Sequence, residues 1–394
     1  MSGERPLEGR RLWFVGIGGA GLSAYAQLAR AWGAEVGGWD RVDTPYLSPL
    51  RDARIELAPD PVVPDGWEAV VSSAYPDVPG MRRREFLREL VAARPAVVVA
   101  GAHGKGTTAA MIAFALREAG RDPAWLIGAP VPQLGSNAGF GAGPLVVEGD
   151  ESDRTVFQLP AQLAVITNVD LDHHTEFASA AELEEAFADW LATVPQVVRD
   201  APPFDGELSV PGAHNRQNAG AAIAALEALG LDRAAAVAAV SRFTGTGRRF
   251  EAHDAGANTV VDDYGHHPAE VTASLQAVRE RYLGATVRVL FQPHLYSRTR
   301  HLAYEFGEAL AGADDIAVVE IYPAREAPVA GVSGKLIVNA LSDRGRLPAW
   351  TPRVEDGVDY LVRRTRPGDV VLVAGAGDVD RAVPLLVDRL GARR

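Results

Sequence analysis

Lys105 lies in the run VVVAGAHGKGTTAAMIAFAL, residues 97–116, between an apolar stretch and an apolar helix pattern. Strand, glycine turn, lysine and helix start are the parts of a phosphate loop, where backbone N–H groups and a helix N-terminus meet an anion. Gly101, Ala102, His103, Gly104, Lys105, Gly106 and Thr107 make up the turn. The general loop reads G-x-x-x-x-G-K-[ST], its last hydroxyl reaching magnesium. Here Val99 takes the place of the first glycine, and Gly106 follows the lysine. Thr107 comes one position late, and a water can stand in for a missing hydroxyl because magnesium keeps several. A threonine at 106 is therefore expected to strengthen magnesium binding. Of the 39 basic residues only Lys105 and Lys335 are lysines. A chain otherwise built on arginine has kept a compact ammonium where phosphates would crowd a guanidinium.

Acids follow at two later strand ends. VVEGDESD carries Glu148, Asp150, Glu151 and Asp153, and TNVDLDHH carries Asp170, Asp172, His173 and His174. Beside a phosphate loop, at the carboxyl ends of parallel strands, such groups suit a nucleotide's magnesium. A solvated acidic loop is the competing explanation. An earlier turn, Gly16-Ile17-Gly18-Gly19-Ala20-Gly21, satisfies G-x-G-x-x-G, and Asp40 closes the next strand at the distance of a ribose-binding acid. This turn alone admits NAD, FAD or a UDP-sugar. Farther on, VVDDYGHHP places Asp262, Asp263, His266 and His267 at a strand end, and LFQPHLYSRTR places His294, Arg298 and Arg300 at another. Arginines there suit bidentate capture of carboxylate or phosphate.

These sites need three alternating strand–helix segments, hence α/β domains in series. The boundaries expected are 1–94, 95–243 and 244–394, and 394 residues exceed a single core. Strands are expected at the runs preceding each motif, and two Ala-rich helices at 214–229 and 232–243. A formal net charge of −12 argues against nucleic acid or an anionic membrane as main partner. No apolar run is long enough to span a bilayer, and the chain has no cysteine, which suits the reducing cytoplasm. Oligomeric state leaves no trace in the sequence.

FVGIGGAGLSA, GAHGKGTTAAMIA, VVEGDESD, VITNVDLDHH, VPGAHNRQNAGAAIAA, GRRFE, VDDYGHHPAEV, FQPHLYSRTR and VAGAG occur in the order seen in the Mur ligase family, which the chain resembles over nearly its whole length. DDYGHHP and the FQPH segment point to the alanine-adding branch. The resemblance implies a Rossmann-like N-terminal domain, a central P-loop-type ATPase domain and a Rossmann-like C-terminal domain. It implies an ATP- and Mg2+-dependent amide-bond ligase of peptidoglycan synthesis, joining L-alanine to the lactyl carboxylate of UDP-N-acetylmuramate through an acyl phosphate. By that resemblance Lys105 contacts the β/γ-phosphates, Glu148 binds magnesium between ATP and the carboxylate, and His173 holds the second metal, with Thr107 a further metal candidate. Asn215, Asn218, Arg249 and Asp263 bind ATP. His267 and Arg298 lie near the amino acid or acyl group, and Gly16 to Gly21 with Ser72 and Ser73 line the UDP-sugar site. Several relatives carry a carbamylated lysine after the metal histidine; residues 174–214 contain no lysine, as in the alanine-adding branch. Three departures stand out: Gly106 for threonine, Leu295 for the usual arginine, and a shorter stretch between His173 and His214. They keep open the alternative of a homologue that binds UDP-sugar or nucleotide without turnover.

Overall fold

The computed structural model describes residues 5–44, 46–151, 154–170, 177, 179–324 and 326–392. Each of the three segments forms its own sheet. In the first, the strands run in the spatial order Glu56–Leu57, Glu35–Trp39, Arg11–Val15, Glu68–Val71, Met81–Arg82, all parallel. Val15 pairs with both Trp39 and Val71, so Gly16, Asp40 and Ser72 emerge side by side.

The second sheet runs Gln196–Val198, Leu163–Ile166, Ala96–Ala100, Leu145–Glu148, Ala124–Val131, Ser136–Phe140. Its centre is Ala96–Ala100, buried at every residue, as a parallel strand covered on both faces must be. Register sets Val99 against Glu148 and Ala100 against Ile166. The phosphate-loop turn is thereby flanked by both acidic strand ends, and the helix Lys105–Glu118 follows it directly. The last two strands form an antiparallel hairpin at the sheet edge, which the sequence pattern did not reveal.

The third sheet runs Glu251–Ala255, Asn258–Asp263, Val370–Ala374, Val287–Phe291, Asp315–Val318, Ala349–Trp350, parallel except for its first strand. Ala374 pairs with Asp263 and with Phe291, which aligns the GHHP turn, the glycines at 375–377 and the FQPH segment on one edge. The Ala-rich helices are observed at Ala213–Ala228 and Arg233–Ser241.

By internal contacts the chain divides into two units, residues 1–209 with 216–244, and 210–215 with 245–394. The first two sheets share the first unit, where one apolar cluster runs from Leu12, Phe14 and Leu28 to Val98, Val147 and Phe187. No helix among the described residues is long and apolar enough to cross a membrane.

In the second unit, Arg288 interrupts the apolar strand Val287–Phe291 with a buried charge. Its guanidinium donates to Asp369 at 2.9 Å and to Asp315 at 2.6 Å. The pairs tie three strands together beneath the edge that carries His294. Removing Arg288 leaves Asp369 charged and enclosed without its cation, while Asp315 keeps Arg364 and Tyr360. Arg288→Met is expected to lower the unit's stability by about 3–5 kcal/mol in urea unfolding, whereas a loss of only about 0–1 kcal/mol would place the network with surface pairs.

Candidate functional site

The phosphate-loop turn folds around its own lysine. Lys105 Nζ donates to the carbonyls of Gly101 at 2.6 Å and Ala102 at 3.3 Å, and to Glu151 Oε1 at 3.0 Å. The ion pair is enclosed, the Glu151 side chain being only 3% exposed. Burial opposes the charge on Lys105, but Glu151, Asp150 and Glu148 outweigh it and hold the ammonium's pKa above the usual lysine value. Gly101 and Gly104 adopt φ of +128° and +81°, conformations in which a side chain is strained. A Cβ at Gly104 would collide with the Asn218 amide, so that predicted residue lies against the turn.

Two residues that sequence reasoning passed over hold this turn in place. Asn168 accepts from His103 N–H and donates to His103 O, both at 2.8 Å, and Thr167 Oγ donates to the same carbonyl at 2.6 Å. Both immediately follow the strand Leu163–Ile166. The signal was present: they precede the Asp170 already singled out.

Glu148 comes to the same turn. Its Oε2 accepts from Gly128 N–H at 2.6 Å, and a Cβ built on Gly106 would stand 3.1 Å from that oxygen. Thr107 is buried in the helix's first turn. His173, with Asp172 and His174, and Asp153 in the other acidic run, lie outside the described residues. No cluster of three or more acidic, histidine or cysteine side chains among the described residues forms a metal centre.

At the first glycine turn, Asp40 folds back on the backbone instead of standing clear of it. Its carboxylate accepts from Gly18 N–H at 2.7 Å and Val42 N–H at 3.1 Å, while Thr44 Oγ donates to Gly18 O at 2.7 Å. Gly16, at φ +86°, packs against Ser72 and Tyr75, where a Cβ would fall 2.7 Å from Ser72 Cβ. Ile17 is buried, Gly19 caps the helix Ala20–Ala31, and Ser73 is exposed. The Arg83 guanidinium lies over Gly21 and faces the Tyr25 ring. A cation at the start of that helix suits an anionic ligand, and the arginine-rich run MRRREF could have suggested it.

In the second unit, Asp263 is fully engaged, accepting from Phe250 N–H, Gly265 N–H and Ser274 Oγ at 2.8–2.9 Å. Glu270 joins the neighbouring groups: Oε2 accepts from His266 and His267 N–H, and Oε1 stands 3.5 Å from Arg249, whose guanidinium also faces Tyr264. His267 caps the helix Pro268–Arg281 through its ring nitrogen, whereas the His266 ring turns toward His294. His294 accepts from Arg298 at 3.3 Å and stacks on Tyr322. Asn215 is buried and donates to Pro211 O at 2.6 Å. The pair of histidines was legible, but which of them turns toward His294 was not.

Known proteins resemble the chain throughout. Residues 248–377 match the family model described as Mur ligase, glutamate ligase domain. The UDP-N-acetylmuramate–L-alanine ligase of Paenarthrobacter aurescens is 37% identical over 449 positions, covering 97% of each chain. That of Streptomyces coelicolor is 35% identical, covering 99% of this chain and all of the other. These alignments are longer than the 394 residues here, so the chain lacks several tens of positions that its relatives have. A crystal structure of UDP-N-acetylmuramate–alanine ligase from Thermotoga maritima superposes with a TM-score of 0.81 at 26% identity, covering 98% of this chain and 100% of that one.

Burial pushes the His266 imidazole from 6.5 down to about 4, so the unfolded chain binds more protons across that window and stability falls on acidification. Burial pushes the Asp262 carboxyl from 3.8 up to about 6, against the pull of Arg248, and its contribution has the opposite sign. His266→Gln removes the first and keeps the second. The stability of this variant relative to the parent should improve between about pH 7 and about pH 5 in chemical denaturation, and a difference independent of pH would contradict the burial of His266.

Proposed function

The chain belongs to the Mur ligase family, and on that premise we propose that it joins L-alanine to the lactyl carboxylate of UDP-N-acetylmuramate at the expense of ATP, in peptidoglycan precursor synthesis. The observation that carries this reading is the convergence of Lys105, Glu148 and Asn218 on one glycine turn at the carboxyl edge of a parallel sheet. A lactyl carboxylate oxygen attacks the γ-phosphorus, ADP leaves, and an acyl phosphate results. The neutral amine of L-alanine attacks the acyl carbon, and the tetrahedral intermediate expels inorganic phosphate as the amide forms. Most of the catalysis is then positioning and charge stabilisation.

In this reading Lys105 exchanges Glu151 for the β/γ-phosphates, while Gly101, Ala102, His103, Gly104, Gly106 and Thr107 supply backbone around them. Glu148 offers a hard carboxylate at the start of the helix Lys105–Glu118, a donor suited to Mg2+. Mg2+ held by Glu148, with a second ion on His173, would neutralise charge on the phosphates. The nucleotide roles of Asn215, Arg249 and Asp263, and the acyl or amino-acid roles of His267 and Arg298, fall on the second unit. His266 and His294 join Arg298 as candidates, since their rings share its cluster. The turn at Gly16–Gly21, with Asp40, Ser72 and Ser73, would take the UDP-sugar, Arg83 adding positive charge at the helix start. Division of the chain at about 94 and 243 gives each sheet one ligand. A chain without cysteine suits the cytoplasm, where these substrates occur.

Phosphate release should require ATP, Mg2+, UDP-N-acetylmuramate and L-alanine together. Omission of any one should abolish it, and Lys105→Met should reduce it by at least about 100-fold. Tight nucleotide or UDP-sugar binding with no release under any combination would favour the non-catalytic alternative.

A further inference from the structure

Two aromatic residues outside every motif of the first segment meet at the carboxyl edge of its sheet. Trp39 ends the strand Glu35–Trp39, and Tyr75 follows the strand Glu68–Val71. Their ring centroids lie 5.4 Å apart and their planes cross at 62°. The strand Arg11–Val15 runs between these two strands and delivers Gly16 to the same place. The Trp39 carbonyl accepts from Gly16 N–H at 2.8 Å and from Ile17 N–H at 3.1 Å. The Tyr75 ring passes 2.9 Å from where a Cβ on Gly16 would stand, so both residues border the glycine turn. Both pack against the small apolar cluster of Trp13, Val15 and Val71, yet both stay partly exposed. Among the described residues, neither Trp39 Nε1 nor Tyr75 Oη has a hydrogen-bond partner.

The chain leaves Arg11–Val15 for a neighbour on one side, Glu35–Trp39, and later for one on the other, Glu68–Val71. Open parallel sheets bind ligands in the crevice at that reversal. An angled aromatic pair bordering the crevice suits a flat heterocycle, which stacks on one ring and turns its edge toward the other. The indole N–H and phenol O–H are donors for the carbonyl groups on the rim of such a base. Resting on the UDP-sugar reading above, we propose that Trp39 and Tyr75 hold the uracil ring of that substrate. The phosphates then fall on the far side of Gly16, where the helix Ala20–Ala31 begins and Arg83 lies over Gly21. Backbone at the turn meets any diphosphate alike; the aromatic corner adds affinity for the base. Neither residue belongs to the glycine motif or to the pair Ser72 and Ser73.

Calorimetric titration of the full chain with uridine diphosphate tests this without requiring turnover. Trp39→Leu and Tyr75→Leu should each weaken binding by roughly 10- to 100-fold, the scale of losing one base–aromatic stack. Trp39→Phe keeps a ring at the position and should lose far less. In the phosphate-release assay the KM for UDP-N-acetylmuramate should rise in Trp39→Leu. Its kcat and its KM for ATP should stay at parental values, because stacking holds ground state and transition state alike. A packing role alone predicts lower thermal stability with unchanged uridine diphosphate affinity, and that result would overturn the proposal. Equal losses in Trp39→Phe and Trp39→Leu would also sink it. A parent protein that binds neither uridine diphosphate nor UDP-N-acetylmuramate would overturn the UDP-sugar reading and this inference with it. Tight binding of UDP-N-acetylmuramate by the parent and by Trp39→Leu alike would overturn this inference alone.

Discussion

The enclosed pair of Lys105 with Glu151 is the interaction on which the first unit's chemistry depends. Burying two opposite charges is costly unless geometry and further hydrogen bonds compensate. Here two loop carbonyls supply those bonds, and two more acids nearby keep the ammonium charged. A turn of this shape cannot hold itself. The carbonyls point inward only because Gly101 and Gly104 take left-handed conformations and because Asn168 and Thr167 fasten His103 from the neighbouring strand. The ion pair is weak support for stability and strong support for a cation kept ready to meet an anion.

The same constraint recurs in all three sheets. Register in a parallel sheet brings strand ends level, so whatever follows each strand gathers on one edge. In the first sheet this assembles Gly16, Asp40 and Ser72, in the second the phosphate loop with Glu148 and Asn168, and in the third Asp263, the GHHP turn and His294. Residues from 22 to 65 positions apart in sequence become neighbours through this pairing. The contacts within each group then decide how each residue is employed.

The strands that carry the sites were legible because buried parallel strands read as unbroken apolar runs, such as AVVVA and VVLVA. The Ala-rich helices were legible from composition. The hairpin at Ala124–Val131 and Ser136–Phe140 was not: its register slips between Leu126 and Val131, and glycines interrupt its pattern. Residue types announced the lysine, the acids and the histidines. Orientation stayed hidden, since spacing does not say that Asp40 bonds to its own turn, that His267 caps a helix while His266 faces His294, or that Glu148 reaches the Gly128 N–H. Sequence gives the inventory of groups, and the direction each one points is settled by packing.

Where a divalent cation and the lysine go when nucleotide binds is open to direct measurement. A crystal structure with Mn2+ and a non-hydrolysable ATP analogue, read from the anomalous signal of the metal, decides it. Mn2+ is expected on the carboxylate of Glu148, with Lys105 Nζ moved from Glu151 to the phosphates. Manganese seated away from Glu148, with Lys105 still held by Glu151, would contradict it.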